Sequence, residues 1–279
     1  GFLAFLFKRY LNINTYHKSA NNFPKCSFCK SERKKEYVTK AIPDFDINTL
    51  SYNIAKRFYT RSIGKCLNCG LIQEYNKFSK KELRRYFNEI SSKDNTINED
   101  AWQSYPVPKS YKKFLFKRHF KKRFNLWKKK LNFKKKPKRI LLLRPTLGFL
   151  AEFFLDNYKN CSIDFLDISE VSIKTIKSKF KNKVNLLNGN IHYTFSGNFL
   201  KKKKYDLIVT NHLLIHCSDV NYTMKCLKKL TKPNGNIILT DEINVKYHNP
   251  FHINFWDEKM LIKILKKNFS KVNLIRNCG

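Results

Sequence analysis

Eight cysteines stand in this chain of 279 residues, at positions 26, 29, 66, 69, 161, 217, 226 and 278, and four of them form two C-x-x-C pairs. Two residues between thiolates let both sulfurs reach one ion from a tight knuckle. Cys26-Ser27-Phe28-Cys29 and Cys66-Leu67-Asn68-Cys69 are separated by 36 residues, so two knuckles can complete a tetrahedral shell of four thiolates around zinc. Such a shell is closed to water and therefore structural. Gly70 follows the second pair, where a left-handed turn is easily needed. The zinc would hold together a small domain with too little core of its own. Paired spacing twice over belongs to a metal site and not to a disulfide framework, which implies a reducing, cytoplasmic setting. Cys217 and Cys226 read as core thiols.

A second feature is an acid, Asp167, placed nineteen residues beyond Gly148. Residues 139–143 and 162–166 read as strands, as do 184–187, 205–210 and 236–240, and residues 169–180 and 219–230 between them carry helical periodicity. Strand, helix, strand at this rhythm predicts an α/β fold: a Rossmann-like, doubly wound, mostly parallel sheet, preceded by the small four-cysteine zinc module. In such a sheet ligands sit beyond the C-terminal strand ends, where strand order reverses. An acid ending the second strand can there accept both ribose hydroxyls of a nucleoside.

The chain divides into a lead (1–23), the zinc module (24–90), a basic helical connector (91–136) and the sheet domain (137–279). Hydrophobic residues make up 42% and aromatics 15%, which excludes a disordered chain, and 8 Gly with 8 Pro excludes a collagen-like one. No apolar run reaches the ~18 residues of a membrane span, and the opening apolar stretch stops at Lys8-Arg9.

The charge is extreme: 57 Lys+Arg against 21 Asp+Glu, a formal +36. Of the basic residues 46 are Lys and only 11 Arg, a split unlike a surface built for forked phosphate contacts. Sixteen of them, with no acid, lie in residues 109–139, where Phe116, Phe120, Phe124, Trp127 and Leu131 share one helical face. The plain account is an aromatic stripe docked on the sheet domain with a solvated Lys face. The other is a surface for an anionic membrane or a nucleic acid.

From residue 139 onward the order of motifs resembles the class I S-adenosylmethionine-dependent methyltransferases. Ile140-Leu141-Leu142-Leu143, the turn Arg144-Pro145-Thr146-Leu147-Gly148 and the helix after it are similar to that family's nucleoside loop. Phe165-Leu166-Asp167-Ile168-Ser169 resembles its acidic strand end, and Asn188-Gly189-Asn190 sits where it carries an adenine-contacting acid. Tyr205-Asp206-Leu207-Ile208-Val209 with Asn211-His212-Leu213-Leu214-Ile215-His216 resembles the fourth strand, and Leu230-Thr231-Lys232-Pro233-Asn234-Gly235 the turn before the fifth. Asp241-Glu242 and His248-Asn249-Pro250-Phe251-His252-Ile253-Asn254-Phe255 are similar to the tail of bacterial methyltransferases of sugar and surface-glycan pathways, which also often carry a zinc region reading C-x-x-C-G-L, as Cys66 to Leu71 does.

The resemblance implies S-adenosylmethionine as cofactor, contacted by Arg144, Thr146, Gly148, Asp167, Ile168, Gly189, Asn190 and Asn211. It departs at the loop, where Leu142 replaces an acid and Arg144 and Thr146 replace glycines. Either Arg144 pairs with the methionine carboxylate or its side chain blocks the cofactor. The resemblance further implies that the sheet domain is C-terminally incomplete, lacking a hairpin partner for residues 271–276.

Methyl transfer to a hydroxyl or amine needs a base. His212 and His216, four apart beyond the fourth strand, would share one face of a helical turn over the cleft; with no H-E-x-x-H arrangement they do not read as a metal pair. His216 is the first choice of base, with His252 and Glu242 behind it. Asp206 is as readily structural as functional, and Asp164 points to the face opposite Asp167. The expected activity is methyl transfer to a small or glycan-linked acceptor. The alternatives are a catalytically inactive Rossmann-like binding protein and an RNA methyltransferase, each using the basic helix to hold an anionic partner.

Overall fold

The computed structural model describes residues 25–39, 61–74, 81, 118, 121–122, 125–127, 129, 136–143, 149–188, 203–211, 213–241, 243 and 252–274. Two sheets organise them. The larger has five strands: β4 (Arg139–Leu143), β5 (Ser162–Asp167), β6 (Asn185–Asn188), β7 (Tyr205–Asn211) and β8 (Thr231–Thr240). Its order is β6-β5-β4-β7-β8, every neighbouring pair parallel. The smaller antiparallel sheet runs β1 (Lys34–Thr39), β2 (Arg61–Cys66), β3 (Ile72–Glu74) and β9 (Asn254–Phe255).

β4 is the middle strand of the parallel sheet, and Ile140 to Leu143 are all buried because both faces of a parallel sheet are covered. The pleat sends alternate residues to two cores. Ile140 and Leu142, with Phe165, Leu207 and Val209, meet helices α1 (Phe149–Asn157) and α2 (Glu170–Phe180) through Leu150, Phe154 and Ile176. Leu141 and Leu143, with Ile208, meet α3 (Val220–Leu230) and α4 (Glu258–Asn268) through Met224, Leu227, Leu261 and Ile264.

Three helices begin as their sequences dictate. Ser169, Asp219 and Asp257 each accept the backbone N–H three residues on, at 3.2, 2.9 and 2.7 Å, which satisfies donors that a helix start leaves unpaired. Trp127 of the aromatic stripe is buried in the α1/α2 core, as the docked-stripe account expects. Phe116, Phe120, Phe124 and Leu131 lie outside the described residues, as do the lead, residues 144–148, Gly189, Asn190, His212 and Glu242.

The fifth strand departs from the sequence reading. Residues 230–235 read as a turn leading to a strand over 236–240, but the strand starts at Thr231, opposite Tyr205. Leu207 then faces Asn236, so Lys232-Pro233-Asn234-Gly235 forms a bulge opposite Asp206 alone. Pro233 has no N–H for a ladder, and a Cβ on Gly235 would stand 2.8 Å from the Tyr205 carbonyl.

Asp206 closes the bottom of the sheet. Its carboxylate accepts the N–H groups of Lys138 (3.1 Å) and Arg139 (2.8 Å) and the Lys232 ammonium (2.7 Å). Desolvation pushes its pKa up, but the Lys232 hydrogen bond and the two amides outweigh it and hold the carboxyl below the usual value. Asp164, buried, gathers Tyr205 Oη at 2.6 Å, Asn185 Nδ2 at 2.8 Å and Lys203 Nζ at 2.9 Å. Burial and then that bond to Asp164 push the Tyr205 phenol upward. Both acids are structural ties between strands; Asp206 lies at the N-terminal strand end, away from the edge where ligands sit.

Candidate metal centre and candidate active site

Cys26 and Cys66 open two knuckles of the same build. In each, the N–H four residues on donates to the first cysteine's carbonyl: Lys30 to Cys26 at 3.0 Å and Gly70 to Cys66 at 2.8 Å. The first cysteine's own N–H donates to the carbonyl five on, Ser31 or Leu71. The turn requires a left-handed residue after the second cysteine, which is Gly70 at φ 85° and Lys30 at φ 66°. Lys30 accepts that strain while its ammonium pairs with Asp219 at 2.5 Å, tying the first knuckle to the start of α3.

The four Sγ atoms lie within 4.8 Å of one another, with Cys26–Cys69 at 3.6 Å and Cys29–Cys66 at 3.5 Å. A Zn–S bond of about 2.3 Å in a tetrahedron sets sulfurs about 3.8 Å apart, so these residues fit zinc. The hydrogen bond from Cys69 draws the Cys26 thiol down to about 5 against the upward push of burial, aided by the N–H groups of Cys29 and Phe28. Cys69 is correspondingly pushed up. Amides aimed at a sulfur stabilise the thiolate form that a metal needs.

The knuckles are not a separate lobe. Cys26, Phe28, Cys66 and Leu71 share a core with Leu213, Ile215, Met224 and Trp256. β9, from beyond the parallel sheet, completes the knuckles' own sheet against β3.

At the C-terminal edge of the parallel sheet, Asp167 ends β5, nearly buried, where the sequence places a ribose acceptor. Its Oδ1 accepts the Ser169 N–H at 2.9 Å, an Asx turn that leads into α2. Ile168 beside it is buried. Asn211 ends β7, one residue beyond Thr210, whose buried Oγ1 has no hydrogen-bond partner among the described residues. A carboxylate at one strand end and an orphaned hydroxyl at another are donor and acceptor groups that suit a nucleoside-bearing cofactor. Arg144, Thr146, Gly148, Gly189 and Asn190 lie outside the described residues.

Of the three candidate bases, the structure brings two together. His216 closes a single 3₁₀ turn, Leu214–His216, in the loop after β7, and His252 precedes β9. Both are buried, and their rings meet edge to face with centroids 5.0 Å apart. His216 therefore has His252 as its neighbour, far away in sequence; the third candidate, Glu242, is outside the described residues.

Sequence reasoning missed the groups that hold this turn. Asp241 Oδ2 and Oδ1 accept the N–H groups of Leu214 (3.0 Å) and Ile215 (3.3 Å), and Asn254 Nδ2 donates to the carbonyls of Leu214 (2.8 Å) and Cys217 (2.6 Å). Asn254 is a lone amide in the apolar run Ile253-Asn254-Phe255-Trp256, a signal that was there to be read.

Parts of this chain are similar to known proteins. Residues 146–237 match the family model of a methyltransferase domain. Malonyl-[acyl-carrier protein] O-methyltransferase 2 of Ilyobacter polytropus is 33% identical over 93 residues, which is 33% of this chain and 35% of that protein. The chain thus spans about a third of the length of this curated relative. Among solved structures, the plantazolicin methyltransferase BpumL is 19% identical, with 67% of this chain and 76% of that one covered and a TM-score of 0.42. The O-methyltransferase of a Brevibacillus brevis trans-AT PKS multienzyme, solved with S-adenosyl-L-homocysteine, is 13% identical, with 56% and 55% covered and a TM-score of 0.41. Among the described residues no helix is long and apolar enough to cross a membrane.

Proposed function

We propose that this chain binds S-adenosylmethionine at the C-terminal edge of the parallel sheet and transfers its methyl group to a small or glycan-linked acceptor, with a structural zinc in the four-cysteine centre. The cofactor supplies an electrophilic methyl carbon on a sulfonium. The reading rests above all on the buried contact between His216, in the loop after β7 on the edge that also carries Asp167, and His252, which precedes β9. The match of residues 146–237 to a methyltransferase domain agrees with it.

In this reading Asp167 accepts the ribose hydroxyls of the cofactor. His216 takes the proton from the acceptor's hydroxyl or amine, since an imidazole nitrogen can both accept and pass on a proton. His252, packed edge-on, limits the orientations open to the His216 ring. The glycan-linked class of acceptor is carried by the resemblance of Asp241-Glu242, of residues 248–255 and of the C-x-x-C-G-L knuckle to the sugar-pathway enzymes. Two outcomes at Arg144 remain distinct: a partner for the methionine carboxylate, or an obstruction.

Calorimetric titration with S-adenosylmethionine and S-adenosylhomocysteine tests the binding step, and transfer of labelled methyl to a panel of nucleotide sugars tests the acceptor. Arg144→Gly weakens binding if the guanidinium holds the carboxylate and improves it if the side chain obstructs. Absence of binding in the parent and the Gly variant alike would leave a Rossmann-like binding protein as the better account.

A further inference from the structure

The turn that carries His216 is one 3₁₀ turn of three residues, too short to hold itself, yet it is buried and gripped on nearly every backbone group. Asp241 takes the N–H groups of Leu214 and Ile215, the backbone N–H of Ile253 donates to the Ile215 carbonyl at 2.8 Å, and Asn254 Nδ2 donates to the carbonyls of Leu214 and Cys217. The two carbonyls held by Asn254 flank His216 closely, one two residues before it and one immediately after.

Asn254 is itself held from the metal centre. Its Oδ1 accepts the hydroxyl of Ser27 at 3.2 Å, and Ser27 stands between the ligands Cys26 and Cys29. The Ser27 N–H donates to Gln73 Oε1 at 3.0 Å, and its carbonyl accepts the N–H of Asn221, at the start of α3, at 3.1 Å. Ser27, Gln73 and Asn254 are all buried, Gln73 lies opposite Asn254 in the β3–β9 pair, and both amide hydrogens of Asn254 and its oxygen are engaged.

We infer that Asn254 is a positioning residue that carries the geometry of the four-cysteine centre, through Ser27, to the turn bearing His216, so that the bound metal sets the orientation of that imidazole. A metal that fixes Cys26 and Cys29 fixes the two-residue span between them, and so the direction of the Ser27 hydroxyl. That hydroxyl selects one rotamer of Asn254, whose amide then spaces the two carbonyls on either side of His216. The inference deepens the reading of His216 as the acceptor-side base and rests on it for its catalytic consequence. The structural coupling is testable without it.

The experiment uses the full chain loaded with zinc and then exchanged into cadmium, whose longer bonds to sulfur widen the centre without emptying it. The imidazole resonances of His216, assigned with a His216→Gln variant, are followed by NMR alongside metal content and S-adenosylhomocysteine affinity. In the parent, exchange moves the His216 signals by more than a linewidth. In Ser27→Ala, which keeps all four thiolates and one metal per chain, the signals are displaced already with zinc, and the exchange no longer moves them; Ser27→Thr, which retains the hydroxyl, restores the response. A parent whose His216 signals ignore the exchange overturns the coupling, as does a Ser27→Ala protein that responds as the parent does. Failure to bind S-adenosylhomocysteine while the His216 response persists overturns the methyltransferase reading and leaves the coupling standing.

Discussion

Asp167 has a structural task and, in the proposed function, a binding task, and substitution can separate the two. In the folded chain its Oδ1 holds the Ser169 N–H at 2.9 Å, and Ser169 is buried, so removing the carboxylate strands a donor away from water. That costs about 1–3 kcal/mol of stability. In the proposed site the charged carboxylate also accepts a ribose hydroxyl, an interaction of about 1.5–3 kcal/mol, which is roughly 10- to 150-fold in Kd. Asp167→Asn keeps a carbonyl oxygen for Ser169 and gives up the charge, whereas Asp167→Ala gives up both. Calorimetric titration with S-adenosylhomocysteine, run beside thermal unfolding followed by circular dichroism, reads the two effects on the same samples. The Asn variant is expected to melt close to the parent and to bind within that range of weakening; the Ala variant loses stability and affinity together. Parent-like affinity in the Asn variant would refute the ribose assignment, and parent-like melting in the Ala variant would refute the structural one.

Metal analysis of the purified chain should find about one zinc per chain, because four thiolates at these separations make one closed site. Cys66→Ser should lose that zinc and destabilise the parallel sheet as well, since Cys66 and Cys26 lie in the core that also holds Met224 and Trp256; a melting transition of the sheet unchanged from the parent would contradict this. Asp206, whose pKa is depressed in the fold, contributes stability that is full above its unfolded value of about 3.9 and is lost as pH falls through the lower folded value. The gap in urea midpoint between the parent and Asp206→Asn should therefore be constant near neutrality and close in acid, and a gap that widens there would reverse the assignment. Gly235→Ala would put a methyl 2.7 Å from Thr231 Cγ2 and 2.8 Å from the Tyr205 carbonyl, an overpacking of about 1–3 kcal/mol. Adding Thr231→Ser should return only part of it, because the Tyr205 contact is with backbone; full recovery in denaturant titration would count against the bulge as described.

The features legible in the residues alone are local ones. Two C-x-x-C pairs announce the metal centre because knuckle geometry is a property of four consecutive residues, and both left-handed positions, Lys30 and Gly70, fall where that turn requires them. The parallel strands were readable because each centres on a short apolar stretch, such as Ile140 to Leu143 and Leu207 to Val209, and the starts of α2 and α3 because Ser169 and Asp219 cap them. Asp167 at a strand end follows from the same counting.

What the tertiary structure decided is everything that joins residues distant in the chain. The bulge at 232–235 depends on the strand beside it, since whether Thr231 enters the ladder is settled by Tyr205 and not by its own neighbours. The edge-to-face contact of His216 with His252 and the merging of the knuckles into the core of α3 and α4 have no period or spacing to betray them. The same holds for the hydrogen bond from Ser27 to Asn254, 227 residues apart in the chain. The knuckle and capping patterns are short because a turn's energy is spent within one turn. A buried hydrogen bond between distant segments leaves in the sequence only a lone polar residue, whose partner appears when the chain has folded and excluded the water that would otherwise have satisfied it.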